Sequence, residues 1–118
     1  MSERDCGPSE TDLARIEQWP HADLPGWFAF IKSLWWAPEW GGWREDVVCG
    51  RRHEIVRYSI STGGMSDNEV LIGAMQKNAL CWSLTWRSTR RGGHYVFERL
   101  RTEAERAAQP VADAVRRS

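Results

Sequence analysis

The spacing of apolar residues changes repeatedly along the second half of the chain, and each change predicts a secondary-structure element. Between His53 and Ile60, apolar side chains alternate with polar ones, which indicates a half-buried strand. The residues Ser66-Asp67-Asn68-Glu69 precede an apolar run and have the composition of a capping box, with Ser66 at the N-cap and Glu69 three positions later. They predict a helix that ends at Asn78 in a left-handed conformation.

A second alternation, over residues 80–87, predicts a strand that places Trp82 and Trp86 on an apolar face directed at the core. Residues 90–93, Arg-Arg-Gly-Gly, are typical of a hairpin turn, and residues 94–98 alternate again. The last two predicted strands therefore pair in an antiparallel arrangement.

The first half of the chain has helical spacing in two places. Residues 11–18 predict one helix, and a second is expected to begin at Asp23 or Pro25 and to end at Leu34. Residues 35–46 contain four of the eight tryptophans together with Pro38 and two glycines, so this segment cannot be one regular element.

These elements predict an α+β fold, in which two N-terminal helices pack on a β-α-β-β unit with a small, mainly antiparallel sheet. We expect residues 1–10 to form a flexible N-terminal tail and residues 11–100 to form a single domain. Residues 101–118 are polar and rich in alanine, which predicts a C-terminal helix or tail. A chain of 118 residues is long enough for one core but not for two.

Composition favours a cytoplasmic protein without a cofactor. Hydrophobic residues make up 42% and charged residues 27% of the chain, as in globular domains, and no apolar run approaches the ~20 residues of a membrane span. The three cysteines are odd in number and contain no CxxC pair, which favours a reducing compartment. Cys49 and His53 are four residues apart, but no second such pair occurs, so no metal site is predicted.

Charge is distributed unevenly although the net charge is zero. Residues 1–50 carry nine acidic and four basic side chains, whereas residues 51–118 carry seven acidic and twelve basic ones. Either the two halves attract each other, or the C-terminal half presents a basic face to phosphate or to an acidic protein.

Two segments of the chain carry a resemblance. STGGMSDNE, residues 61–69, and RRGGHYVFE, residues 90–98, together resemble a group of small uncharacterised proteins of bacteriophages and prophages. In that group a tryptophan often stands where this chain has Met65. The group has no known activity, so the resemblance implies a mobile-element origin and a host-cell location, and it transfers no catalytic residue.

The tryptophans suggest the leading hypothesis for function. One small core has little room for all eight indoles, so the segment around residues 35–46 is either a lid over the sheet or an interface. Tryptophan and arginine also dominate binding hot spots. We therefore expect a non-enzymatic accessory protein that binds a host protein or complex, for example as an inhibitor of a defence or regulatory complex, with self-association into a homodimer as another way to cover the patch. The predicted contacts are Trp36, Trp40, Trp43, Arg87, Arg90 and Arg91.

A second hypothesis is binding of nucleic acid or of a nucleotide phosphate. The turn before the predicted third helix offers backbone N–H groups near a helix N-terminus, where anions bind. No lysine follows the glycines, so the turn is not a P-loop. The predicted anion-binding residues are Ser61, Thr62, Gly63, Gly64 and Arg57, with Arg51, Arg52, Arg90 and Arg91 as further phosphate contacts.

A third hypothesis is a small enzyme centred on His94. This histidine follows two glycines and stands beside arginines, and we expect Glu98, Ser88 or Tyr58 to be its partner in acid–base chemistry. A nucleophilic pair of Cys81 and His94 across adjacent strands is a variant of this hypothesis. The alternative is that His94 is an ordinary hydrogen-bonded residue of the turn.

Overall fold

Four antiparallel strands carry helices on one face of the sheet. The structure is a computed structural model that describes residues 8–36, 42–50 and 53–108. The strands are ordered β1-β2-β4-β3 across the sheet, and every neighbouring pair is antiparallel. The elements in chain order are α1 Glu10–Gln18, α2 Leu24–Leu34, β1 Trp43–Cys49, β2 Glu54–Ser61, α3 Ser66–Lys77, α4 Ala79–Thr85, β3 Trp86–Arg90, β4 His94–Leu100 and α5 Glu103–Ala108.

The predicted α+β class is confirmed, and so are the two helices that precede the strands. Helix α1 begins where the Ser9 side chain accepts a hydrogen bond from the Asp12 N–H and the Asp12 carboxylate accepts one from the Ser9 N–H. Helix α2 begins at Asp23, whose carboxylate accepts the Gly26 N–H. Short polar side chains at the helix entrances therefore fix both N-termini.

The core lies between the helices and the face of β2 that carries Val56, Tyr58 and Ile60. Phe28 of α2 stacks on Tyr58 with 3.9 Å between ring centroids, and Trp27 buries its indole while donating to the Ile16 carbonyl at 3.0 Å. Burial of each such large side chain contributes about 1.5–3 kcal/mol. The other buried apolar residues are Ile31, Trp35, Trp43, Leu71, Ile72, Ala74, Met75, Cys81 and Phe97.

The predicted strand over residues 80–87 is wrong in its first part. Residues 79–85 form helix α4, and only the following residues form β3. The Asn78 side chain accepts the Cys81 N–H at 3.2 Å and thereby starts this helix. Cys81 and Thr85, four residues apart, are buried, while the larger Leu80 and Leu84 are exposed. The alternation predicted the wrong element because Cys81 and Thr85 face the core in place of the larger Leu80 and Leu84.

The two caps predicted for α3 are also wrong. Met65 occupies the N-cap without a side-chain hydrogen bond, and Ser66 is the first helical residue. Asn78 ends the helix at φ −87°, which is not left-handed. The entrance is held instead by Asn68, whose side-chain amide donates to the Thr62 carbonyl at 3.2 Å.

Strand β1 was not predicted, and it changes the interpretation of the tryptophan-rich segment. Trp35 and Trp43 lie in the core, where their rings form an edge-to-face pair with 5.5 Å between centroids. The predicted β-α-β-β unit is therefore incomplete, because β1 precedes it and α4 interrupts it. Within the described residues, no helix is both long and apolar enough to cross a membrane.

Candidate anion-binding site

The sheet face opposite the helices carries a row of polar side chains, and we call it the open face. Because side chains alternate along a strand, Arg57, Ser59 and Ser61 point away from the core that Val56, Tyr58 and Ile60 enter. The register pairs Arg44 with Ser59 and His94 with Ser61, so β1 and β4 contribute to the same face.

The open face contains a depression of about 680 Å³ that is lined by strand residues alone. No helix of the described residues covers it. Three of its lining side chains are arginines and one is a carboxylate. The lining residues are Arg44, Arg57, Ser59, Ile60, Ser61, Arg90, His94, Tyr95, Val96 and Glu98.

Glu98 holds two arginines at the side of this depression. Its carboxylate accepts from Arg57 Nε at 2.7 Å and from Arg87 Nε at 3.1 Å. The Glu98 side chain is only 15% exposed, whereas those of Arg57 and Arg87 are 43% and 60% exposed. Both bonds use Nε, so the terminal nitrogens of each guanidinium can donate to another acceptor. Glu98 thus orients two arginines without occupying all their donors.

Two further arginines extend the cluster across the sheet. Arg44 on β1 forms an exposed ion pair with Asp46 at 3.1 Å, and Arg90 on β3 has no ion pair within the described residues. The four arginines face two carboxylates, which leaves an excess of two positive charges. The exposed Arg44–Asp46 ion pair contributes about 0–1 kcal/mol, so another anion can replace Asp46 at little cost.

Ser61 and His94 meet at one end of the depression. The Ser61 Oγ and the His94 Nδ1 are 2.6 Å apart and form a hydrogen bond across the β2–β4 pair. Arg90 pairs with His94 on its other side, so these three residues form a row across three adjacent strands.

The structure brings some predicted anion-binding residues together and separates others. Arg57 and Ser61 lie on the open face with Arg87 and Arg90. Thr62 is buried, and its N–H donates to the Gly93 carbonyl at 3.0 Å, so it belongs to the turn and not to the depression. Three more predicted residues, Gly63, Gly64 and Arg91, are exposed turn residues that do not line the depression.

The predicted tryptophan contacts are not equivalent. Trp43 is 7% exposed and donates from its indole to Glu45 at 2.8 Å, so it is a core residue and not a surface contact. Trp36 is 47% exposed. Trp40, like Arg51 and Arg52, lies outside the described residues.

The other two tryptophans assigned to the core differ in the same way. Trp82 is half-buried against Tyr95 and Phe97. Trp86 is 40% exposed, so its predicted core position is wrong. Its indole N–H donates to the Thr89 hydroxyl at 2.8 Å.

The predicted partners of His94 need correction. Tyr58 faces the core, and the Glu98 carboxylate accepts hydrogen bonds from Arg57 and Arg87 instead of His94. The side chain that is hydrogen-bonded to His94 is Ser61. Cys81 lies in helix α4 and not in a strand, so a Cys81–His94 pair across adjacent strands does not form. Burial also raises the pKa of the Cys81 thiol, which disfavours the thiolate that a nucleophile needs.

Sequence reasoning missed Arg44 and Ser59. The strand alternation around Tyr58 already placed Ser59 on the face opposite the core, but it gave no reason to assign a function to it. Arg44 could be placed only by the pairing of β1 with β2, which the sequence did not indicate.

A second polar cluster lies on the core side and holds the C-terminal helix. Arg99 donates to the Tyr58 hydroxyl at 3.0 Å and to both carboxylate oxygens of Glu105. The hydrogen bonds from Arg99 lower the pKa of Glu105 to about 2, whereas burial raises the pKa of Tyr58 to about 12. Every group in this cluster is satisfied within the chain, so we assign it a structural role.

Comparison with other proteins adds no assignment. The chain matches no protein-family model, no curated protein and no solved structure.

Proposed function

We propose that the open face binds the phosphate backbone of a nucleic acid. The observation that carries this proposal is the convergence of Arg44, Arg57, Arg87 and Arg90 on a sheet face that no described helix covers and whose described side chains have an excess of positive charge. Arginine has a planar set of donors that fits the oxygens of a phosphate, and it binds phosphate more specifically than lysine does.

The kind of side chain favours nucleic acid over an acidic protein surface. The four cations that the described part of the chain places on the open face are all arginines, whereas both lysines of the chain, Lys32 and Lys77, lie in the helical layer. Hydroxyl groups of Ser59 and Ser61 accompany the arginines, and hydroxyls are frequent phosphate contacts.

The lining predicts how the ligand is recognised. Among the described lining residues, Tyr95 is the one Phe, Tyr or Trp, and its ring is stacked with Phe97, which is buried in the core. Without a Trp or Phe ring in the described part of the open face, base stacking contributes little to binding. Binding would therefore depend on phosphates, show little base preference and weaken steeply with salt.

Fluorescence anisotropy with a labelled 20-nucleotide single strand tests the proposal. We expect the logarithm of the affinity to fall with the logarithm of salt concentration with a slope of about −2, as for three phosphate contacts. The variant R57Q/R90Q should bind at least about tenfold more weakly and, with two phosphate contacts removed, have a slope shallower by about 1.4.

The double variant K32Q/K77Q is the matched control, because it removes the same charge from the helical layer. It should retain the affinity and salt slope of the native chain. Absence of binding at low salt, or equal losses in both double variants, would contradict the proposal.

A host-protein contact through Trp36 is the second candidate function. The Trp36 N–H donates to the Asn68 side chain at 2.8 Å, so the backbone of this half-exposed residue is fixed on α3. Given the resemblance to phage proteins, we expect the nucleic acid or the partner protein to come from a bacterial host. Inhibition of a defence or regulatory complex stays a prediction. A host protein that the native chain captures and W36A does not would support this candidate, whereas equal capture by both would contradict it.

A further inference from the structure

We propose that Ser61 is a nucleophile that His94 activates towards a phosphodiester held on the open face. The Oγ–Nδ1 distance of 2.6 Å is the geometry of a serine activated by a neighbouring base. The proposal depends on the proposed function for its substrate class, because the arginines of the open face would hold the phosphate. It goes further by assigning a reaction.

The positions of the two side chains are fixed by the backbone around them. The Ser61 N–H donates to the Gly42 carbonyl at 2.8 Å, and the next residue, Thr62, donates to Gly93 next to His94. A Cβ added at Gly93 would lie 2.2 Å from the Thr62 Oγ1, so the turn packs against β2 with no space left over. Reacting groups built on such rigid strands keep their mutual geometry.

The glycine turn also leaves room for the imidazole. A Cβ added at Gly92 would lie 3.3 Å from the His94 Nε2, so this edge of the ring sits against the turn. In the tautomer protonated at Nε2, Nδ1 has the lone pair that accepts the Ser61 proton.

The reaction needs only water as a second substrate. As the Ser61 Oγ bonds to phosphorus, its proton passes to His94 Nδ1. The bond from phosphorus to the leaving alcohol oxygen breaks, and the imidazolium returns the proton to that oxygen. Water, deprotonated by the same imidazole, then attacks phosphorus, the bond from phosphorus to Oγ breaks, and the imidazolium returns the proton to Oγ, which releases a phosphomonoester and restores Ser61 and His94.

The arginines next to this pair would stabilise the charge that develops on the phosphoryl oxygens. Arg90 stands in register with His94, and Arg57 lines the same depression. None of the described carboxylates is hydrogen-bonded to His94, and loss of the carboxylate from a catalytic triad lowers turnover about 10⁴-fold. We therefore expect slow turnover, and covalent labelling is the more sensitive measurement.

A fluorophosphonate probe tests the assignment, since attack by Oγ on its phosphorus expels fluoride and leaves a stable adduct. Intact-mass analysis of the full chain should show one adduct, and peptide mapping should place it on Ser61. The variants S61A and H94Q should label at least about 100-fold more slowly. The exposed helix residue Ser83, changed in S83A, supplies a control that should label at the native rate.

Peptide mapping of the native chain keeps the test valid even if a variant does not fold. An adduct that forms on Ser61 in the folded chain but not in a chain unfolded in urea before the probe is added would support the proposal. No adduct, an adduct elsewhere, or an undiminished rate in a folded H94Q variant would overturn it.

The two proposals can fail separately. Nucleic-acid binding by the native chain without an adduct would overturn the nucleophile and leave the binding face in place. An adduct on Ser61 in a chain that binds no oligonucleotide would overturn nucleic-acid binding and support the nucleophile.

Discussion

Arg99 and Glu105 form a two-bond ion pair that attaches the C-terminal helix to the sheet. Arg99 Nη1 donates to Glu105 Oε1 at 2.8 Å and Nη2 donates to Oε2 at 2.7 Å, while the Arg99 Nε reaches the Tyr58 hydroxyl. The Arg99 side chain is almost fully buried. Because a buried guanidinium needs its partners, this cluster makes the stability of the fold depend on pH at both extremes.

At low pH the relevant group is Glu105. Its pKa of about 2 in the folded chain lies below its usual value of 4.5, so its stabilisation is complete above about pH 4.5 and is lost as the pH falls towards 2. Solvent screening limits the loss to about 1–2 kcal/mol, because a third of the side chain is exposed. Urea denaturation at several pH values should show this loss in the native chain and in E103Q, a control on the same helix. A native-like pH dependence in E105Q would contradict the prediction.

At high pH the relevant group is Tyr58. Burial raises its pKa from 10 to about 12, so the phenol stays protonated in the folded chain at a pH that ionises it in the unfolded one. Stability is therefore full below pH 10 and decreases between pH 10 and 12. Absorbance at 295 nm should show a late ionisation that Y58F removes and Y95F retains. If the late ionisation persists in Y58F, it belongs to a group other than Tyr58 and the prediction is wrong.

Asn78 connects α1, α3 and α4 through one side chain. Its amide donates to the carbonyls of Ile16 and Trp19, each at 3.0 Å, while its oxygen caps α4. N78A should lower the free energy of unfolding by about 2–4 kcal/mol, because the carbonyls of Ile16 and Trp19 each lose a donor and α4 loses its cap. S9A removes a single, partly buried cap and should cost about 1 kcal/mol.

The variant N78D separates the two roles of this side chain, which are to cap α4 with its oxygen and to donate to two carbonyls with its amide. It keeps the capping oxygen but places a negative charge against the two carbonyls, so it should be no more stable than N78A. Recovery of native stability in N78D, measured by urea denaturation, would show that the cap alone matters.

The turn between β3 and β4 should tolerate no side chain at Gly93. This residue has φ +79°, and a Cβ there would lie 2.2 Å from the Thr62 Oγ1. G63A has a similar φ of +63° but open space around the Cβ, so it isolates the backbone term of about 1–2 kcal/mol. G93A should cost clearly more than G63A.

The variant T62A tests the cause of that difference. Removal of the Thr62 hydroxyl should recover part of the stability lost in G93A, which a double-mutant cycle measures as a coupling between the two sites. Purely additive losses would mean that the steric contact is not the reason.

Local patterns predicted the elements that are held by local interactions. The spacing of apolar residues in α2 and the alternation around Tyr58 describe surfaces that face one core, so sequence alone placed them correctly. It also placed Arg57 and Ser59 on the side of β2 away from the core, since side-chain direction in a strand follows from position alone, whereas Ser61 was predicted to lie in the turn.

Tertiary contacts decided the rest. Asn78 became a helix cap because carbonyls 59 and 62 residues away hold its amide, and this turned an alternating segment into α4. Trp43 entered the core because β1 pairs with β2, which no local pattern reveals. The open face formed for the same reason: register between distant strands sets Arg44 beside Ser59, and His94 beside Ser61, and such register depends on which side chains the whole core can bury.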